Sequence, residues 1–251
     1  IRQIEAKVLR KIRPYLTSEI KKKNILSKIR DQEGDLYHKI RKEPISIDDV
    51  VKYLYIKDSL TSVESLLVEY FNKEGFDKPY EQIYEIRKLV VYTLNAQYFE
   101  NEDFDFLKSS KIPNLEYLDL EGCKVIDYDK VNVIKDSAMS GKTSLSTLIL
   151  PKYVTEIGES AFKGCPLGYI TQDDLGSFQF LTIPSSVTKI GSYAFDSAKY
   201  VKFNTLVVPA ISKNAFDTSS TGARIFVPES TIDEFISLNN LNSQFIYHTA
   251  M

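Results

Sequence analysis

The residues that could carry chemistry in this 251-residue chain are few and scattered. There are two cysteines, Cys123 and Cys165, and two histidines, His38 and His248. A zinc-type site needs three or four Cys, His or carboxylate ligands at short spacing, and neither cysteine has a histidine near it. Two cysteines make no disulfide scaffold, although a single Cys123–Cys165 bridge is left open. The string Ser140-Gly141-Lys142-Thr143-Ser144 invites a phosphate-loop reading. That motif needs a glycine where Asp136 stands, a strand before it and a helix after it, whereas here a strand follows. The acidic runs Glu100, Glu102, Asp103, Asp105 and Gln172, Asp173, Asp174 lack the Asp-x-Asp-x-Asp-Gly spacing of a calcium loop and read as solvated loops. No Ser/His/Asp or Cys/His set can be assembled. The sequence therefore assigns no catalytic residue, no metal ligand and no cofactor, and it reads as a non-enzyme.

Composition is that of a folded chain, with 43% hydrophobic and 26% charged residues, 16 Tyr, 14 Phe and no Trp. No stretch approaches the roughly 18 uninterrupted apolar residues of a membrane-spanning helix. The formal net charge of −2 argues against a nucleic-acid coat, but the charge is uneven. Residues 1–30 carry ten Lys and Arg against Glu5 and Glu19, a net of +8, so the remainder is acidic. Ile1, Ile4, Val8 and Ile12 follow one helix face, and Pro14 interrupts it. This basic amphipathic arm reads either as a solvated helix docked on its own domain or as a contact for nucleic acid, anionic membrane or an acidic partner. Arg2, Glu5, Lys7, Arg10 and Lys11 break up the first residues, which makes them unlike a secretory signal. Further helices are expected after Ser46-Ile47-Asp48-Asp49, through Val50, Val51, Leu54 and Tyr55, and again from Thr61 to Phe71, before Gly75 and Pro79 break the pattern.

Self-similarity organises the rest. The segments LEYLDL (115–120), LSTLIL (145–150), FQFLTI (178–183) and FNTLVV (203–208) share apolar first, fourth and sixth positions. IRKLVV (86–91) and RIFV (224–227) extend the series. Their fourth-position residues, Leu89, Leu118, Leu148, Leu181, Leu206 and Ile225, recur around the 20–30-residue period of leucine-rich solenoids, with variation that loops absorb. Pro151, Pro184, Pro209 and Pro228 are expected to close the strands, since proline ends a ladder without wasting a donor. After the first two comes a nearly identical phrase, VTEIGESAF (154–162) and VTKIGSYAF (187–195), shortened to ISKNAF at 211–216. Gly158 and Gly191 suit positive-φ turns. Ala161, Ala194 and Ala215 allow coils to approach closely, and Phe162, Phe195 and Phe216 are expected to stack as an internal ring column.

The pattern LxLPxxVTxIGxxAFxxC, clearest over 145–216, resembles the repeat of BspA-like (Treponema pallidum-type) leucine-rich-repeat surface proteins. The tail IFVPESTIDEF resembles the closing phrase of such arrays. The first two units lack the AF phrase, the insertion GYITQDDLGS precedes the second complete unit, and residues 1–85 match nothing in the repeat. The fold class is therefore expected to be α+β. A right-handed solenoid with short parallel strands would occupy 86–251, capped by a helix near Thr231–Leu238 and preceded by an α-helical region over 1–85. The AFxxC position of Cys165 reads as a buried small apolar site.

Strand periodicity places Tyr117, Asp119, Thr147, Ile149, Phe180, Thr182, Thr205 and Val207 on an outward row, the face that solenoids use for binding. That row is either exposed or covered by the N-terminal helices or the insertion. The resemblance implies a cell-surface or secreted adhesion protein, without catalysis, whose concave face binds a protein or glycan on a host or neighbouring cell. The competing reading is an intracellular interaction module whose basic arm contacts nucleic acid or anionic membrane.

Overall fold

The structure is a computed structural model of the chain. It describes residues 51–56 (backbone only), 61–93, 98–170, 178–217, 222–239 and 246–249. The chain divides into two compact units, Ile1–Val51 and Lys52–Met251. The basic arm over 1–30, His38 and the expected helix start at Ser46 lie outside the described residues.

The chain runs β1 (Val51–Ile56), α1 (Val63–Lys73), α2 (Pro79–Tyr84), β2 (Lys88–Thr93), α3 (Asn101–Lys108) and β3 (Tyr117–Gly122). A hairpin of β4 (Ile126–Asp127) and β5 (Lys130–Val131) leads to β6 (Val133–Ile134), then β7 (Thr147–Ile149) and β8 (Glu156–Ile157). A second hairpin, β9 (Tyr169–Ile170) and β10 (Phe178–Gln179), precedes β11 (Leu181–Ile183) and β12 (Lys189–Ile190). Then come β13 (Tyr200–Phe203), β14 (Ala210–Ile211), β15 (Arg224–Pro228), a 3-10 turn at Glu229–Thr231, α4 (Ile232–Asn239) and β16 (Ile246–Thr249). No helix among the described residues is long and apolar enough to cross a membrane.

The expected helix through Val51, Leu54 and Tyr55 is instead strand β1. VKYLYI is rich in β-branched and aromatic residues, and β1 adds to β2 at the start of a four-stranded sheet. The second expected helix is present as α1. Ser62 caps it by accepting from the Ser65 amide at 3.3 Å, and Val63, Leu67 and Phe71 form its buried stripe. The Asp103 carboxylate joins α1 to α3, accepting from the Val63 amide at 2.7 Å and the Glu100 amide at 2.9 Å. Burial raises its pKa to about 6 against these two hydrogen bonds, with Glu100 and Glu102 adding to the rise.

The solenoid is built from stacked coils with a front and a back ladder. Two front sheets have the strand orders β1-β2-β3-β7 and β11-β13-β15-β16, and the back sheet is β14-β12-β8-β6. In the back sheet Ile134, Ile157, Ile190 and Ile211 stand in parallel register. Behind them the expected ring column is present. Phe162 and Phe195 stack at 5.3 Å and 3°, and Phe195 and Phe216 at 5.6 Å and 12°. Ala161, Ala194 and Ala215 are fully buried beside the rings. Such a column cannot be buried by one coil alone, so each unit depends on its neighbours.

Three expectations about the repeat need correction. The coil before Phe162 does carry the phrase, as VNVIKDSAM (131–139). The Met139 amide donates to Ala161 O as the Phe162 amide donates to Ala194 O, so Met139 heads the column. Gly158 and Gly191 do not adopt positive φ. A Cβ on Gly158 would meet Asp136 N at 2.6 Å and one on Gly191 would meet Glu159 N at 2.6 Å, so close coil stacking requires them. At this turn the left-handed residue is instead Ser137 (54°), Ser160 (55°) or Tyr193 (57°), each at the same place in its copy of the phrase. Finally, α4 does not close the array. After it the chain returns as β16 and pairs in parallel with β15, Ile246 opposite Ile225.

Candidate functional site

Register fixes which side chains share the outward side of the front sheets. In the N-terminal sheet Lys88, Tyr117 and Thr147 form one rung and Val90, Asp119 and Ile149 the next. In the C-terminal sheet Tyr200 faces Arg224, while Thr182, Lys202, Phe226 and Tyr247 form the longer rung. Burial alternates along β13 and β15, with Val201, Phe203, Ile225 and Val227 pointing into the core.

The two rows differ in access. Val90 is 1% exposed and Asp119 3%, although both occupy outward positions, and Thr147 is also buried. Asp119 Oδ1 accepts from the Glu121 amide at 2.8 Å. Val90, Asp119 and Thr147 are therefore covered on the outward side of the N-terminal sheet, and Asp119 and Thr147 are not available to a ligand. Tyr117 and Ile149 beside them are half-buried. In the C-terminal sheet Phe180, Thr182, Tyr200, Lys202, Arg224 and Phe226 are half-buried and Tyr247 is exposed. Here the rings form a cluster: Phe180 meets Phe226 edge-on at 5.0 Å, and Tyr247 stacks on Phe226 at 5.3 Å and 24°.

Thr205 and Val207 do not belong to this row. The strand of their coil is YVKF at β13, upstream of FNTLVV, and the inward residue paired with Leu181 is Val201 rather than Leu206. Leu206 is 68% exposed whereas Val201 is fully buried. Thr205 is buried in the following turn, where its Oγ1 accepts from the Val207 amide at 3.0 Å and donates to Val207 O at 2.8 Å. Pro209 lies well beyond the strand it was expected to close, so anchoring the repeat on that proline moved the strand by five residues. The alternation of YVKF was the signal that identifies Tyr200 and Lys202. Arg224, Phe226 and Tyr247 lie beyond the strongest part of the repeat.

The insertion divides the front. Gly168 N donates to Ser146 O at 3.4 Å and Lys199 N to Leu167 O at 2.8 Å, so Leu167–Gly168 occupies the start of the β11 rung. The β9–β10 hairpin then leaves the strand before Leu181 resumes it. Gly168 is required there twice over: its φ is +71°, and a Cβ would meet Tyr200 O at 2.3 Å.

Cys123, Cys165 and Lys142 have structural partners, whereas Gln172, Asp173 and Asp174 lie outside the described residues. Cys123 and Cys165 are buried free thiols. Their Sγ atoms donate to Val91 O and Met139 O, each at 3.2 Å. Burial pushes the Cys165 thiol up to about 12. Lys142, from the SGKTS string, occupies in its coil the place that Cys165 and Ala198 take in the next two. It is 5% exposed and its ammonium donates to Ile112 O. Burial lowers its pKa to about 8, opposed by the charge of a Cys165 thiolate. A lysine committed to a core carbonyl holds no phosphate. Among the described residues no three His, Cys, Asp or Glu side chains group as metal ligands.

The same coils are found by comparison. The family model for the BspA type leucine-rich repeat region matches residues 111–177 and 173–246 in six copies, more than half of the chain. No curated protein matches the chain.

Proposed function

The chain belongs to the BspA type leucine-rich repeat family, and from that premise we propose that it is a non-catalytic recognition protein, surface-located or secreted. It binds a protein or glycan through the outward side of its front sheet, the concave side expected from the repeat. The observation that carries this reading is the Phe180–Phe226–Tyr247 cluster. Three aromatic side chains on the outward side of a sheet contribute little to the inner core, and partly exposed aromatic groups are the usual anchors of protein interfaces. The burial of Val90, Asp119 and Thr147 in the N-terminal row supports placing the surface on the C-terminal sheet.

Capture from extracellular-matrix and mucosal extracts tests it. Phe226→Ala and Phe180→Ala should abolish capture while the far-UV spectrum and melting temperature stay near those of the parent. Undiminished capture by both folded variants rejects the face. A second reading rests on the +8 charge of residues 1–30. Salt-dependent binding to DNA or anionic vesicles that vanishes on deleting 1–30 would replace surface recognition with contact through the basic arm.

A further inference from the structure

The charge of the C-terminal front sheet is opposite in sign to that of the chain. The protein carries a formal −2, and outside residues 1–30 it is more acidic still. Yet the outward positions of β11, β13, β15 and β16 place Lys202 and Arg224 among Thr182, Tyr200, Phe226 and Tyr247, with no Asp or Glu. The two cations differ. Arg224 is engaged locally, its guanidinium donating to Gly222 O at 3.3 Å. Lys202 is half-buried between Thr182 and Phe226 in register, and no described carboxylate pairs with it, whereas Lys73, Lys78, Lys111, Lys135 and Lys189 all have one. A partly desolvated ammonium in register with Phe226, on a face that also carries Phe180 and Tyr247, favours an opposing carboxylate, because the lower local dielectric strengthens the attraction.

We propose that the partner of this face is an acidic protein segment: an Asp or Glu side chain pairs with Lys202 while adjacent apolar side chains pack on the Phe180–Phe226–Tyr247 cluster. This deepens the recognition reading and rests on it. Phe226 already has neighbouring rings at 5.0 Å and 5.3 Å, so it is less open to a stacked pyranose than a lone exposed ring would be, which favours peptide over sugar.

The test is selection of a random twelve-residue peptide library on the full chain and on its Lys202→Glu and Phe226→Ala variants. Selected peptides are then measured by fluorescence polarisation at low and physiological salt. Peptides selected on the parent should be enriched in Asp or Glu next to aromatic or aliphatic residues. Changing their acidic residue to Asn or Gln should weaken binding about tenfold, as should Lys202→Gln, with Lys202→Arg restoring most of it. The Lys202→Glu protein should select basic peptides instead. Selected peptides without acidic enrichment, or indifferent to Lys202→Gln while lost in Phe226→Ala, would overturn the acidic partner and leave the face standing. Peptides indifferent to both substitutions, or failure to select any, would overturn both. Lys202-dependent binding of hyaluronan oligosaccharides, with no peptide bound, would overturn the peptide in favour of a carboxylated glycan.

Discussion

The two front sheets share a parallel ladder but present different surfaces. In the N-terminal sheet Val90 and Asp119 stand outward and are almost inaccessible, while in the C-terminal sheet Lys202, Phe226 and Tyr247 occupy corresponding positions and reach solvent. The back column does not follow this division. Phe162 and Cys165 fill the coil whose front strand is β7, in the N-terminal sheet, and Phe195, Ala198 and Phe216 fill the coils of β11 and β13, whereas the first coil of the column uses Met139 and the stem of Lys142.

The largest expected effect breaks the back column. Phe195→Ala removes the ring between Phe162 and Phe216 and should cost about 3–5 kcal/mol in denaturant unfolding. Met139→Ala, which removes a thioether rather than a ring, should fall below it. Equal costs would show that the ring-packed and thioether-packed coils do not differ in the way described.

Next comes the charge in the N-terminal coil. The folded-state pKa of Lys142 is depressed from 10.5 to about 8. Its contribution is therefore fully present above pH 10.5 and lost as pH falls through 8, so at neutral pH the buried ammonium is a cost of about 2–3 kcal/mol. Lys142→Met should raise stability at pH 7 by about 1–2 kcal/mol, less than the full cost because Ile112 O loses its donor. The variant should also lack the parent's rise in stability between pH 8 and 9. Cys165 has the opposite sign: its raised pKa gives a contribution lost as pH climbs from 9 towards about 12, so the lower window isolates Lys142. A parent whose stability is flat there would refute the buried charge.

The finest distinction concerns register in the C-terminal sheet. Val201→Ala should cost about 1–3 kcal/mol and Leu206→Ser less than about 0.5, because only Val201 points inward. The reverse order would restore the alignment through FNTLVV and remove Lys202 from the face.

Much of the back was legible in the residues, since VTEIGESAF and VTKIGSYAF repeat both the ring and the alanine that coil stacking needs. The copy at 131–139 escaped because Met139 replaces the ring and Lys135 stands where the next two coils have glycine, although its Val-x-x-Ile spacing was intact. The front was harder to read. Leucine and proline anchors locate a strand only when the turn after it has constant length, and the turn between Phe203 and Pro209 is longer than those before Pro151 and Pro184. Alternation and register give Asp119 and Thr147 outward positions, but what covers an outward residue depends on contacts far away in the chain. Tyr247 lay hidden because IFVPESTIDEF resembles an ending, whereas the backbone returns after it to add another strand.

Ser137, Ser160 and Tyr193 hold left-handed backbone that non-glycine residues adopt at a cost. Each donates its amide forward, to Glu159 O, Ser192 O and Asn214 O. A unit in this array is thus finished only by the one made after it. On a ribosome, which delivers the chain from its amino end, every turn must wait for its successor to emerge before its own bend is secured.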